Sequence, residues 1–184
     1  GFGMHPHRDM EIITVMVEGA LSHADSMGNS AVLHAGEVQR MSAGSGIVHS
    51  EINQTGAPCR LLQIWIEPAQ LGIQPAYEQK PFAIGEGWTP LIEPDATGDA
   101  MTIERAVRLW RAQPLRQQQL PLPDAKERWL WLQVIDGELT LNREGSPKQS
   151  LRRGDGVGLI QDAATQSELI GLGERADVLL FALA

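Results

Sequence analysis

Short apolar segments separated by glycine turns run along this chain, and the turns recur at one fixed spacing. The turn Glu18-Gly19-Ala20-Leu21 corresponds to Asp136-Gly137-Glu138-Leu139, and His34-Ala35-Gly36-Glu37 corresponds to Arg152-Arg153-Gly154-Asp155. Both pairs lie 118 residues apart (137 − 19 and 154 − 36). Short apolar runs between such turns predict β-strands. The common spacing therefore predicts an all-β chain made of two related halves.

The segment from Glu67 to about Asp99 differs in character from both halves. It contains five of the eleven prolines, namely Pro68, Pro75, Pro81, Pro90 and Pro94. Because proline lacks a backbone N–H, such a segment is typical of loops and short edge strands. We therefore expect an N-terminal domain at residues 1–82, a connector at 83–100 and a C-terminal domain at 101–184.

Composition limits the classes of function. The 184 residues are 42% hydrophobic and 21% charged, which suits a globular protein with a buried core. The formal net charge of −8 argues against a nucleic-acid partner, since phosphate binding requires a basic surface. No apolar run reaches spanning length and no signal-peptide pattern is present, so we expect no membrane partner. The single cysteine, Cys59, suits a reducing compartment and predicts a cytoplasmic location.

The chain starts at Gly1-Phe2-Gly3-Met4, without an initiator methionine and almost inside its first histidine motif. A natural N-terminus so close to such a motif is unusual. We therefore expect that an N-terminal segment is missing from this sequence.

All five histidines lie within the first 49 residues, and three of them belong to two short motifs. The motifs are His5-Pro6-His7 and His49-Ser50-Glu51. Residues two apart in a strand point to the same face, so two such strands can aim three imidazoles and one carboxylate at a common point. That donor set suits one divalent transition metal: Fe(II), Mn(II), Co(II), Ni(II), Cu(II) or Zn(II). The alternative is that these histidines carry no metal and face solvent or a polar core. Two independent motifs favour the metal site over this alternative.

A strand–turn–strand unit with His-x-His on one strand and a later histidine on its partner is the cupin pattern, a small β-barrel or jelly roll. The spacing of 118 residues predicts that only one half holds the metal. In the second half, the counterparts of the four motif residues are Pro123, Ala125, Ser167 and Leu169. That half therefore lacks the ligand set.

Several other side chains are weaker candidates. Glu11 follows His7 by four residues, and counting in steps of two places it on the same face, which makes it a candidate fifth or alternative ligand. Because Glu51 already supplies the carboxylate, we expect a supporting or packing role for Glu11. His23 is predicted to be a turn or surface residue that hydrogen-bonds Asp25, and His34 is predicted to be exposed. Packing in the core or between the domains is expected of three tryptophans, Trp110, Trp129 and Trp131.

Two long segments resemble the signatures of the pirin family. They are Gly3–Ile12 and Gly36–Glu51, and Gln63–Ile66 and Tyr77–Gln79 also fit. The bacterial branch, which includes quercetin 2,3-dioxygenase-like pirins, is the most similar. Like the pirins, the chain has Ser42 where most cupins have proline. The resemblance implies a bicupin, with two face-to-face cupin β-barrels of the jelly-roll type.

The resemblance also implies an iron-type metal in the N-terminal barrel only, held by the residues that match His5, His7, His49 and Glu51, with Glu11 outside the ligand set. It implies a metal-dependent dioxygenase that cleaves a flavonol such as quercetin with O2. Fe(II) is the expected ion, and Glu51 is the candidate base for the substrate hydroxyl.

The family also permits a second function, that of a non-catalytic, metal-binding and redox-responsive regulatory protein. A zinc-dependent isomerase ranks last, because only Arg8 and Arg40 lie near the motifs to bind a phosphate group. For either of the first two functions we expect a monomer with no nucleic-acid or membrane partner.

Overall fold

The structure is a computed structural model that describes residues 1–95, 98–125, 129–160, 163 and 165–184. These residues form seventeen β-strands, which confirms the all-β prediction. They divide into two compact units, of which the first comprises Gly1–Ala83 with Met101–Arg105 and the second comprises Ile84–Ala100 with Ala106–Ala184. Across the described ranges, no helix is long and apolar enough to cross a membrane.

The first unit contains eight strands in two antiparallel sheets. In chain order the strands are β1 (Phe2–His7), β2 (Glu11–Glu18), β3 (Ala20–Asp25), β4 (Ser30–His34), β5 (Glu37–Ser42), β6 (Ile47–Ile52), β7 (Arg60–Ile66) and β8 (Ala76–Pro81). One sheet has the order β1-β6-β3-β4 and the other has the order β7-β2-β5-β8. Strands β1 and β7 are therefore edge strands, and the histidine motifs lie on the neighbouring strands β1 and β6.

The second unit repeats this plan. Its strands are β9 (Thr89–Ile92), β10 (Val107–Ala112), β11 (Gln119–Pro121), β12 (Trp129–Asp136), β13 (Glu138–Arg143), β14 (Gln149–Arg152), β15 (Gly156–Ile160), β16 (Ser167–Gly171) and β17 (Asp177–Leu183). The sheets have the orders β11-β16-β13-β14 and β15-β12-β17-β10-β9. The expected connector was residues 83–100; Ile84–Ala100 belong to this unit and supply its edge strand β9.

The repeated glycine turns have the same geometry in both units. Gly19, between β2 and β3, has φ of 74°, and Gly137, between β12 and β13, has φ of 76°. A Cβ on either residue would lie 2.6 Å from a backbone oxygen, that of Pro58 for Gly19 and that of Arg175 for Gly137. Only glycine accepts both the left-handed backbone and this close approach. The repeat predicted from these turns is therefore a repeat of tertiary structure.

Strand alternation decides which apolar residues reach the cores. In β12, Leu130, Leu132 and Val134 are buried, whereas Trp129 and Trp131 between them are 50% and 42% exposed. The expectation that these two tryptophans pack in a core is wrong within this unit, because they point to the outer face of the sheet. Core packing is confirmed for Trp110, which belongs to the main apolar cluster of the second unit. In the first unit, Cys59 packs against a smaller cluster of Met16, Leu21 and Leu33.

Candidate metal centre

Three histidine rings converge where β1 lies antiparallel to β6. His5 is the register partner of His49, and His7 lies two residues along the same strand. The ring centroids are 4.4 Å apart for His5 and His49, and 4.9 Å apart for His7 and each of the other two. His49 is completely buried, while His5 and His7 are half-buried at the edge strand. The structure thus brings both sequence motifs to one point near the rim of the unit.

The ring nitrogens of this cluster have few protein partners. His5 Nδ1 lies 2.7 Å from the carbonyl oxygen of Gly3, so its N–H donates there and Nε2 is left as the free acceptor. His7 Nε2 and both ring nitrogens of His49 are buried without a hydrogen-bond partner. One ligand atom from each of the three rings lies within 4.8 Å of the others. Buried imidazole nitrogens are rarely left unpaired, so this arrangement fits a cation that they would ligate.

Glu51 follows His49 on the same face of β6 and is held by three donors. Gln63 Nε2 donates to Oε2 at 2.6 Å, while Gln39 Nε2 and Thr14 Oγ1 donate to Oε1 at 3.3 and 3.5 Å. All three donors belong to the opposite sheet, on β2, β5 and β7. Glu51 is 3% exposed, so these hydrogen bonds set the direction of a buried carboxylate.

His23 is the residue whose setting sequence reasoning missed. Its predicted hydrogen bond to Asp25 is confirmed, with Nε2 3.1 Å from Oδ2, but the surface placement is wrong because His23 is only 2% exposed. Its ring stacks on Tyr77, and its Nδ1 is buried without a partner. With His49 and Glu51 it forms a second group of donors within 4.8 Å of one another. The signal was available in β3, where Leu21 and His23 share the inward face.

The remaining candidates lie away from this cluster. Glu11 is buried on β2 and accepts a hydrogen bond of 2.7 Å from Ser42 Oγ. It points away from the face of β2 that carries Thr14, so the expected shared face with His7 is wrong. The count in steps of two fails because the chain changes sheets between β1 and β2. His34 is exposed, as predicted.

The second unit carries no such cluster within the described ranges. Among the described residues, both groups of side chains that could hold a metal ion belong to the first unit. Ser167, the counterpart of His49, donates its hydroxyl to the carbonyl oxygen of Ala163, and Leu169, the counterpart of Glu51, is buried in the apolar cluster. The second unit thus repeats the strand plan of the first without the potential metal ligands at these two positions.

Burial and crowding lower the pKa values of His7 and His49. Desolvation, together with the neighbouring His5, His7 and His23, lowers the pKa of His49 from 6.5 to about 4. Desolvation and then His5 also lower the pKa of His7. Burial, with Asp25, Glu37 and Glu51 nearby, raises the pKa of Tyr77 to about 12. At neutral pH the imidazoles of His7 and His49 therefore present lone pairs, which is the form that ligates a metal.

The depressed pKa of His49 predicts that the metal-free protein loses stability in acid. Between pH 6.5 and about pH 4 the unfolded chain binds a proton at this histidine and the folded chain does not, so the free energy of unfolding falls as pH falls through that window. Urea unfolding of the metal-free protein at pH 7 and pH 5 measures this loss. A His49→Gln variant is the control, because it keeps every other titrating group. An equal loss in the free energy of unfolding between pH 7 and pH 5 in the two proteins would contradict the lowered pKa of His49.

Together, the two-sheet units and the histidine cluster at the rim of the first one define a two-domain cupin. Comparison with known sequences is more specific. The pirin family profile matches residues 1–66, and the profile of the quercetinase C-terminal cupin domain matches residues 91–183. The chain belongs to the pirin family.

Individual relatives match along the whole chain. The quercetin 2,3-dioxygenase of Escherichia coli O157:H7 is 40% identical over 184 residues, which are 100% of this chain and 76% of that protein. The crystal structure of the bacterial pirin YhhW from Escherichia coli in complex with nickel(II) has a TM-score of 0.86 and 39% identity, and covers 100% of this chain and 76% of its own. A quercetin 2,3-dioxygenase from Acinetobacter baumannii, at 23% identity and a TM-score of 0.76, shares the fold.

Proposed function

We propose that this protein is a metal-dependent dioxygenase that cleaves a flavonol such as quercetin with O2, and that Fe(II) is its working ion. The observation that carries the proposal is the convergence of three histidine rings with unpaired, buried nitrogens beside the Glu51 carboxylate. Relatives named quercetin 2,3-dioxygenase and a nickel-bound bacterial pirin support it. A cytoplasmic location and a monomeric state belong to the same proposal.

In this proposal the ligands of the ion are His5, His7, His49 and Glu51. Three imidazole nitrogens and one carboxylate oxygen form a donor set that Fe(II) accepts, and Mn, Co, Ni, Cu and Zn accept it as well. When bound, the ion supplies Lewis acidity to an oxygen atom of the substrate and positions open to exchange. His5 keeps its orientation because Nδ1–H is committed to the Gly3 carbonyl.

Glu51 is the proposed base for the 3-hydroxyl of the flavonol. Its Oε1 has only the longer contacts from Gln39 and Thr14, at 3.3 and 3.5 Å, so this oxygen is the one that takes the proton. Its Oε2 stays with Gln63. A carboxylate within hydrogen-bond reach of the hydroxyl is the geometry that general-base catalysis needs.

Apolar residues surround the proposed reaction site on the same faces as the polar ones. Ile12 shares a face of β2 with Thr14, Met41 shares a face of β5 with Gln39, and Ile47 shares a face of β6 with His49. These three side chains form one buried cluster with Ala43. Such a wall excludes water from the reacting oxygens.

Oxygen consumption on quercetin tests the proposal. The purified chain is freed of metal, reloaded in parallel with Fe(II), Mn(II), Co(II), Ni(II), Cu(II) or Zn(II), and mixed with quercetin in an oxygen-electrode cell. We expect one O2 consumed per quercetin, with release of carbon monoxide and a depside, and the fastest uptake with Fe(II). Metal bound at one equivalent with no uptake for any ion would overturn the enzymatic proposal and favour the regulatory function.

A further inference from the structure

Two exposed residues of the edge strand β7 reach the candidate metal centre. In the register of β7 on β2, Gln63 is opposite Thr14 and Trp65 is opposite Ile12. They therefore share the sheet face that carries the contact from Thr14 to Glu51. Trp65 is 57% exposed, and its ring lies edge-on to His7 with centroids 5.2 Å apart. Both side chains thus lie at the rim of the site rather than in the core.

Hydrogen bonds connect these two residues to Glu51 in series. Trp65 Nε1 donates to Gln63 Oε1 at 3.2 Å, and Gln63 Nε2 donates to Glu51 Oε2 at 2.6 Å. An indole N–H donates and never accepts, so Trp65 requires the oxygen of the Gln63 amide on its side. The amide nitrogen must then face Glu51. Trp65 therefore determines that Gln63 turns its amide N–H, and not its amide oxygen, toward the Glu51 carboxylate.

The bond from Gln63 is the shortest that Glu51 receives. Those from Gln39 and Thr14 go to the other oxygen and measure 3.3 and 3.5 Å. We propose that Trp65 and Gln63 are positioning residues that orient the Glu51 carboxylate toward the three histidines and so strengthen the binding of a divalent cation. This inference rests on the proposed metal site, and it adds two residues outside the ligand set.

We call the two hydrogen bonds from Trp65 to Gln63 and from Gln63 to Glu51 the relay. The relay predicts a different loss of metal affinity for each variant. Gln63→Met keeps the length of the side chain but removes the donor, and we expect an affinity about tenfold lower, the lower end of the range for partners of metal ligands. Trp65→Phe keeps a ring beside His7 but frees the amide of Gln63 to flip, and we expect a loss of about fivefold, equivalent to one ordinary hydrogen bond. Because Trp65 acts through Gln63, the double variant should bind as the Gln63→Met variant does.

Calorimetric titration of NiCl2 into the metal-free full chain tests this relay without any turnover. The matched controls are Gln133→Met and Trp131→Phe, on strand β12 of the second unit. We expect nickel affinity to be unchanged in both controls, with thermal unfolding of the metal-free relay variants close to that of the parent. A purely structural role would lower the unfolding temperature and produce additive losses in the double variant.

The outcomes separate this inference from the proposed function. Parent-like nickel affinity of the Gln63→Met variant, or additive losses in the double variant, would overturn the relay and leave the metal site and the dioxygenase proposal intact. Failure of the parent protein to bind nickel would overturn the relay together with the metal site. The expected pattern, a loss for each single variant with no further loss in the double, supports the relay whatever the protein does with quercetin.

Discussion

Replacing His49 with alanine is expected to abolish metal binding and, with it, oxygen uptake. His49 belongs to both groups of potential ligands, and its ring lies within 5.5 Å of those of His5, His7 and His23. Loss of a partner that only orients a ligand costs about 10-fold to 100-fold in metal affinity, so loss of the shared ligand should cost more than about 100-fold. Metal analysis of the purified protein and nickel titration measure the effect.

The control for this variant is His34→Ala, which removes an exposed histidine of the same unit. We expect it to bind metal as the parent does. The metal-free His49→Ala protein should stay folded, because the ring that is lost has two buried nitrogens without partners, and their removal offsets part of the lost packing. Near-parent metal content in a folded His49→Ala protein would show that the histidine cluster is not the metal site.

The second large effect concerns stability, and it lies in the second unit. Arg111 on β10 and Asp177 on β17 form a buried bidentate ion pair, with Nε to Oδ1 at 2.9 Å and Nη2 to Oδ2 at 2.6 Å. Their side chains are 4% and 9% exposed. Arg111→Met leaves the buried Asp177 carboxylate with Gln113 Nε2, at 3.1 Å, as its one remaining side-chain donor among the described residues. We expect a loss of about 3–5 kcal/mol in the free energy of unfolding, measured by urea denaturation.

Two further variants show whether the loss comes from the unpaired charge. Arg153→Met removes an exposed arginine of the same unit and should change the free energy of unfolding by no more than about 0.5 kcal/mol. The double variant Arg111→Met with Asp177→Leu removes both charges and should recover much of the stability that the single variant loses. If the double variant is no more stable than Arg111→Met alone, the unpaired charge is not the cause of the loss.

Much of the fold was predictable because its determinants are local. Gly19 and Gly137 mark turns by a backbone angle that other residues adopt at a cost, so their spacing reveals the repeat before any contact is known. The motifs at His5 and His49 rely on the period of two within a single strand. That period depends only on backbone geometry, and it is the reason that both motifs were readable.

The wrong placements concern the face of a strand to which a side chain points. Glu11 was counted in register with His7, but a change of sheet between them turns its side chain to the other face. His23 was taken as a surface residue, although Leu21, two residues earlier on β3, lies on the inward face that His23 shares. Trp131 was expected to pack in a core or between the domains; it alternates with buried leucines and so points away from the core of its own unit.

The sequence by itself determined the strand periods, the glycine turns, the duplication and the identity of the histidine motifs, since each depends on residues close together in the chain. Only the tertiary structure decided that β6 lies between β1 and β3, which brings His23 to His49 and Glu51. It also decided that β7, in the opposite sheet, brings Gln63 within hydrogen-bond distance of Glu51. The reason is physical: a strand's own geometry sets which residues share a face, whereas packing between sheets sets what that face meets.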